Sequence, residues 1–454
     1  MQTDSEYLDR KHREISLLDS CLSVSLDPTR PGSIAAAIEL KFRLAALLKA
    51  DQLIKRGSIT ETARPPEYWG STGPFAFSFG YQRADLEVSG PPIYPTVQRL
   101  GNGHGESTIY TGSGMSAIAA LLMASLQLND TVDIVAPVDC YAESRELMRS
   151  FGSRIRIAEP LSYLFEMVGV GNAAACVLWL DSSTRTSFSA SLRGIAHGVH
   201  LVVLDTTCFS RRSGKIAHAI RRASQMGIPI ALVRSHAKLD CLGIEYGRLG
   251  SVVLLQPGRN VGEKESDWTA NLIPAIRNTV RLLGAAPLLG HFPPFESSAA
   301  YQDCSSARIA SIMRTTRHLA RALKSRLPTA DVAIFPHGLY LTIAPHHAAC
   351  VDEIKLAAKE IAQEMTAHGL PVKHAGSFGF DFVALEWYPD PIDRANLLRV
   401  CGGDLPPELA DEVGDRLADW CSQRGWVKSR SYRSVIRPAC DHSPLALEAD
   451  RGLF

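Results

Sequence analysis

Residues 200–240 read HLVVLDTTCFSRRSGKIAHAIRRASQMGIPIALVRSHAKLD. HLVVLD (200–205) and IPIALV (228–233) are near-continuous apolar runs of strand length, and SGKIAHAIRRASQ (213–225) between them has a helical apolar pattern. A strand whose residues are apolar on both sides is covered by helices on both faces. Three further runs of this kind flank the segment: VDIVAP (132–137), ACVLWL (175–180) and SVVLL (251–255), with the helical SAIAALLMASL (116–126) ahead of them. The alternation predicts an α/β fold with a mostly parallel, doubly wound central sheet.

Beyond that core, NLIPAIRNTVRLLGA (271–285) and a long stretch around 304–326 read as helices. A smaller α+β region starts near Pro328, with VAIFPHG, LYLTIAP, a helix VDEIKLAAKEIAQEMTAHG, then FGFDFVALEW, NLLRVCGG and a last helix ELADEVGDRLADWCSQRG, giving the order β-β-α-β-β-α. Ahead of the sheet, residues 35–53 have a helical pattern of leucines and Arg64–Trp69 reads as coil. The expected division is an N-terminal extension over 1–70, a large α/β domain over 71–327 and a small C-terminal domain over 328–454.

Composition narrows the class. The 454 residues are 46% hydrophobic and 21% charged, with a formal net charge of +1. No nucleic-acid or charged-membrane partner is expected from that balance. The opening MQTDSEYLDRKHRE has no apolar core of a secretory signal, and no apolar run approaches the roughly 20 residues of a membrane span. Ten cysteines without close pairs suggest thiols in a reducing compartment, so a cytoplasmic protein, and no Cys/His set has zinc spacing. No metal is expected.

Three segments fall where sheet-edge chemistry is done. TGSGMSAIAALL (111–122) is a Gly-Ser-Gly turn opening into a helix, either an anion cradle or a tight turn with a serine cap. Asp205 ends a strand, where ligands of open α/β sheets bind; it either meets a ligand or caps the next turn through Thr206 or Thr207. Lys238 follows a strand in RSHAKLD, where a desolvated edge favours a partly neutral amine; a solvated loop lysine is the alternative. Together, an anion site, an acid and a lysine suit one cofactor, pyridoxal 5'-phosphate (PLP), which needs a phosphate cradle, a partner for its ring nitrogen and an imine-forming lysine. GNGHG (101–105) is glycine-rich but lacks the strand and helix of a dinucleotide-binding turn.

At this point the layout resembles fold-type I PLP-dependent enzymes, most closely the Cys/Met metabolism family of cystathionine synthases and lyases and methionine γ-lyase. The resemblance spans roughly residues 77–425. GYQR (80–83) is similar to the family's Tyr-x-Arg element, which implies that Tyr81 and Arg83 reach the phosphate of a neighbouring subunit. PPIYPT (91–96) sits at its Asn-Pro-Thr element. SGM (113–115) resembles its phosphate turn, implying cofactor contacts from Ser113, Gly114 and Met115. DCYAESREL (139–147) resembles the segment that stacks a tyrosine, Tyr141, on the ring. Asp205 falls on the ring-nitrogen acid, and Ser235 and Lys238 on the phosphate serine and Schiff-base lysine. AGSFGF (375–380) and LLRV (397–400) resemble substrate-contacting segments, implying Ser377 and an α-carboxylate clamp at Arg399. Arg185, in DSSTRTS (181–187), stands where the family has an asparagine, and Ala237 where it has a threonine.

The resemblance implies an amino-acid substrate bound as an external aldimine, with Lys238, Asp205 and Tyr141 as the catalytic set and Arg399, Arg185 and Ser377 as substrate contacts. It further implies β- or γ-elimination or γ-replacement, and a homodimer or homotetramer with shared active sites. Two alternatives stand beside it: an aminotransferase, which uses the same lysine and acid, and an inactive regulatory or scaffold protein that keeps the fold. Arg185 admits three placements: toward an anionic substrate group, against the cofactor, or on a surface carboxylate. The N-terminal extension is expected to add interface area.

Overall fold

The computed structural model describes residues 3–56, 68–79, 86–95, 97, 105–158, 175–185, 199–256, 267–296, 298–328 and 330–426. Tyr81 and Arg83 lie outside the described residues, as do most of GNGHG and the end of DSSTRTS.

A three-stranded antiparallel sheet comes first, of β1 (Tyr68–Thr72), β2 (Phe75–Phe79) and β3 (Glu87–Ser89). Its first strand corrects the expectation of coil up to Trp69. The central sheet has seven strands: β4 (Gly105–Thr111), β5 (Val132–Val135), β6 (Ile155–Ala158), β7 (Ala175–Asp181), β8 (Leu201–Asp205), β9 (Ile230–Ser235) and β10 (Gly250–Gln256), in the order β4-β10-β9-β8-β7-β5-β6. Pairings from β9 to β6 are parallel, and β10 runs antiparallel to both β9 and β4.

Why the strands read as unbroken apolar runs is visible in their packing. Cys176, Leu178 and Leu180 of β7 and Val202 and Leu204 of β8 join one core. The intervening Val177, Trp179, Leu201 and Val203 join another on the opposite face. Period two thus feeds two buried faces. The second core is covered by α3 (Gly114–Leu128), which packs on β9 and β10. The first core is covered by α5 (Gly214–Gln225), whose Ile216, Ala219, Ile220 and Ala223 form one stripe. Gly227, in the left-handed region, ends that helix, and the Ile228 N–H returns to the Ala223 carbonyl. Among the described residues, the other helices are α1 (Asp4–Asp19), α2 (Ile34–Arg56), α4 (Ala142–Ser150), α6 (Asp267–Leu282), α7 (Ala299–Arg326), α8 (Val351–Ala367) and α9 (Pro407–Gln423).

The smaller C-terminal α+β region is a five-stranded sheet, β11-β12-β15-β14-β13, from β11 (Asp331–Ile334), β12 (Tyr340–Ala344), β13 (Val372–His374), β14 (Val383–Asp390) and β15 (Ala395–Cys401). Leu398 and Val400 face a core shared with α8 and α9, so Arg399 points to the other face. FGFDFVALEW was expected as one strand, but only its second half is. Gly379 sits at φ +94, and a Cβ there would lie 2.9 Å from the Lys238 carbonyl oxygen. Residues 375–382 therefore form a loop against the Lys238 turn, with Phe378, Phe380 and Phe382 buried. The short β13 is the additional strand.

The N-terminal segment is docked on this same chain. A capping box between Thr3 and Glu6 starts α1. Arg10, Lys11 and Glu14 then enter the interior. Lys11 Nζ lies 2.7 Å from Asp381 and 2.6 Å from Asp404; Lys41 Nζ lies 2.6 Å from Glu14 and 2.7 Å from Asp381. Arg10 donates twice to Asp404, both at 2.6 Å, and Arg308 reaches Glu14, Asp381 and Asp404. Burial pushes the Asp404 carboxyl up, but Lys11 and Arg10 outweigh it and hold it well below the usual range. Burial brings the Lys41 ammonium down to about 8. This cluster ties α1 and α2 to α7 and to the loop that follows Ser377.

Candidate active site

Ser113 is extended and caps α3: its Oγ accepts from the Ser116 N–H at 3.0 Å. The first-turn N–H groups of Gly114 and Met115 have no intrahelical carbonyl to meet. Gly114 lies directly over Ser235, since a Cβ there would come within 2.9 Å of the Ser235 Cβ. Gly250 makes the same room on β10, where a Cβ would sit 2.1 Å from the Ser113 carbonyl oxygen. Two glycines thus seat a helix N-terminus on the carboxyl end of β9. The serine cap is thus formed at Ser113, and the amides of Gly114 and Met115 follow it in the first turn.

Of the two roles open to Asp205, the turn cap is formed. The Thr207 N–H donates to its Oδ1 at 2.8 Å, a turn cap, while the carboxyl stays at the strand end. Burial and the neighbouring Asp181 carboxylate push its pKa up to about 7. Asp181 is its register partner on β7. A cation or a shared proton would relieve this pair. Thr207 Oγ1 in turn accepts the Ser235 N–H at 3.1 Å, linking the acid to the anion turn. Thr207 and Asp181 were not singled out from the sequence as site residues, although both lie in quoted segments.

Tyr141 stands at the start of α4 and is 40% exposed. Its N–H donates to Asp181 Oδ2 at 2.8 Å, and Asp181 Oδ1 accepts from the Ser183 N–H at 2.7 Å. Burial and the Glu143 carboxylate push its phenol up.

Lys238 lies in the turn after β9. Its Nζ donates to Ser377 Oγ at 2.7 Å and lies 5.7 Å from the Phe378 ring centre. Two residues placed separately by sequence are therefore in contact. His236 is not a site group. Its Nδ1 pairs with Asp240 Oδ2 and its Nε2 with Ser251 Oγ, each at 2.9 Å. Arg234 grips the same Asp240 through two bonds of 2.7 Å. This buried network fixes the turn that carries Lys238.

Arg399 and Arg185 come from the two sides of the region. Arg399 Nη2 is 2.5 Å from Glu386 Oε2, with its guanidinium 5.5 Å from the Tyr340 ring centre. Arg185 Nη1 is 3.0 Å from Asp390 Oδ2, and its guanidinium lies 5.5 Å from the Phe335 ring centre. Of its three expected placements, Arg185 takes one close to the third, on the buried Asp390 and, at 3.8 Å, the exposed Asp393. Its backbone N–H donates to Asp139 at 2.7 Å.

Elsewhere, Glu14, Asp381 and Asp404 bring ligand atoms within 4.8 Å of one another, but these carboxylates already bind Lys11, Lys41, Arg10 and Arg308. An open cavity of about 610 Å³ between β2–β4 and α6 contains none of the candidate residues. No helix among the described residues is long and apolar enough to cross a membrane.

The donor set fits PLP. Open helix amides beside a seryl hydroxyl suit its phosphate, a desolvated carboxyl suits its ring nitrogen, and a lysine amine lies at the same sheet edge.

No family model matches the chain, and no curated protein matches it. Solved structures do. A cystathionine γ-synthase from Xanthomonas oryzae pv. oryzae, in complex with cystathionine, superposes with a TM-score of 0.53 at 16% identity, covering 83% of this chain and 99% of the other. The cystathionine γ-lyase CalE6 from Micromonospora echinospora gives a TM-score of 0.50 at 16% identity, covering 75% of this chain and 89% of that one. The chain thus shares the fold of these solved structures, a large mixed sheet with a smaller C-terminal α+β domain.

Proposed function

We propose that this chain is a PLP-dependent enzyme that acts on an amino acid by β- or γ-elimination or γ-replacement, with Lys238 as the Schiff-base residue. The observation that carries the reading is one sheet edge that holds the Gly114–Met115 amides, Ser235, Asp205 and Lys238 on adjacent strand ends. The solved structures with this fold include a γ-synthase and a γ-lyase, which favours side-chain elimination or replacement as the reaction.

PLP, when bound, supplies an electron sink for the carbanion at the substrate's Cα. The residues supply everything else. Gly114 and Met115 N–H groups with the Ser235 hydroxyl would hold the phosphate. Asp205, pushed up to about 7 by burial and Asp181, would hold a proton at the ring nitrogen. Tyr141 would cover one ring face, a contact worth about 0.5–1.5 kcal/mol beyond its area. Lys238, steered by Ser377, takes the Cα proton and returns it at a later carbon. Arg399 orients the substrate by its carboxylate. The reading also includes subunits that share sites through Tyr81 and Arg83, in a cytoplasmic homodimer or homotetramer.

The test is product analysis. Protein loaded with PLP is incubated with cystathionine, methionine and O-acylated homoserine, with and without a thiol. Ammonia with a keto acid, or a newly substituted amino acid, is the expected product. Amino transfer to an added keto acid without ammonia would replace this reading by an aminotransferase. Absence of any visible cofactor absorbance would leave a protein that keeps only the fold.

A further inference from the structure

Both cations assigned to substrate are already paired with carboxylates, and the two pairs differ in kind. Asp390, on Arg185, has a side chain 2% exposed; Glu386, on Arg399, is 32% exposed. Glu386 lies directly opposite Arg399 across the antiparallel β14–β15 pair, so register builds this contact. Its carboxylate leans over Gly376, where a Cβ would be 2.8 Å from Glu386 Oε1. The next residue is Ser377, the acceptor for Lys238 Nζ. Arg399 Nε is buried and has no partner among the described residues. The arginine therefore keeps one donor open while an internal carboxylate holds another, one residue from the lysine's anchor.

We propose that Glu386 is a specificity-determining residue: a built-in occupant of the substrate-carboxylate position that an incoming carboxylate must displace from Arg399. The proposal rests on Arg399 as the carboxylate clamp. Glu386 can leave because its side chain already reaches water, whereas Asp390 cannot, so Arg399 is the exchangeable cation and Arg185 the fixed one. The selectivity follows from competition. A lone carboxylate meets Arg399 with Glu386 permanently beside it at high local concentration, and loses. A ligand also held through its amino group presents its carboxylate at comparable local concentration, and wins. The site thereby rejects simple acids and accepts α-amino acids.

Glu386→Gln keeps the shape and removes the competitor. Propionate and glycine are titrated by calorimetry into wild type, Glu386→Gln and Glu386→Gln/Arg399→Gln, each with PLP added. Propionate should bind Glu386→Gln about five-fold more tightly than wild type, the upper end for a partly exposed ion pair. Glycine should gain less, and the double variant should lose the gain for both. Folding is checked by thermal melting of each variant. Propionate affinity that is unchanged or weaker in a folded Glu386→Gln overturns the proposal, whether or not the cofactor absorbance is present. A gain at Arg399 in protein that shows no cofactor absorbance would support the exchange and remove the PLP reading, so the two fail separately.

Discussion

Replacing Asp404 by Asn should destabilise the protein far more than the same change on the surface. Asp404 is fully buried and accepts two bonds from Arg10 at 2.6 Å, one from Lys11 at 2.6 Å and one from Arg308 at 3.3 Å. Four cations (Arg10, Lys11, Lys41, Arg308) face three carboxylates (Glu14, Asp381, Asp404), a local charge of 4 − 3 = +1 that the substitution raises to 4 − 2 = +2. Removing one partner from a buried ionic group costs about 3–5 kcal/mol. Asp415→Asn, on the exposed Arg326 pair, should cost about 0–1 kcal/mol. Urea unfolding followed by tryptophan fluorescence gives the difference, and hydrogen exchange locates it, since α1 supplies three of the seven charges and should lose protection first. The sign in acid follows from the depressed carboxyls. Their contribution is present above the ordinary carboxylate pKa and is lost as pH falls through the lower native value, so the gap between wild type and Asp404→Asn should narrow in acid. A variant within about 1 kcal/mol of wild type, with α1 protection intact, would refute this account of the cluster.

Three further outcomes follow from the site. Asp205 has a raised pKa, so its contribution to apoprotein stability is present below the ordinary carboxylate value and lost as pH rises through about 7; Asp205→Asn should therefore melt higher than wild type at about pH 8, with little gain at about pH 4, while the loaded enzyme loses most of its turnover, and parallel pH profiles for the two apoproteins would contradict the desolvated acid. Gly114→Ala forces a Cβ against Ser235 and should cost about 1–3 kcal/mol of stability and weaken PLP binding about ten-fold, whereas normal PLP affinity would remove the helix-end phosphate site. Mixing inactive Lys238→Ala with inactive Arg83→Ala protein should restore part of the activity if sites are shared between subunits, and no recovery in demonstrated mixed dimers would end that reading.

Much of the sheet was legible because its strands feed two cores, so β7 and β8 read as unbroken apolar runs. Lys238, Asp205 and the Ser113–Met115 turn were legible for a related reason: strand ends and helix starts leave composition marks. What was not legible depends on distant approach. Ser377 meets Lys238 across 139 positions, through a loop whose turn requires Gly379. Glu386 becomes Arg399's partner only once the β14–β15 register is known. The burial of Arg10, Lys11 and Glu14 was not legible because a charged residue signals burial only through partners, and Asp381 and Asp404 lie hundreds of positions away.

The central claim is that Lys238 carries the cofactor. Protein loaded with PLP is reduced with borohydride, digested, and the pyridoxyl-lysine peptide is mapped by mass spectrometry. The account predicts the label on the peptide containing Lys238 and its absence from Lys238→Ala, which should still retain PLP through Gly114, Met115 and Ser235. A label on any other lysine, or none on protein shown to hold PLP, would contradict it.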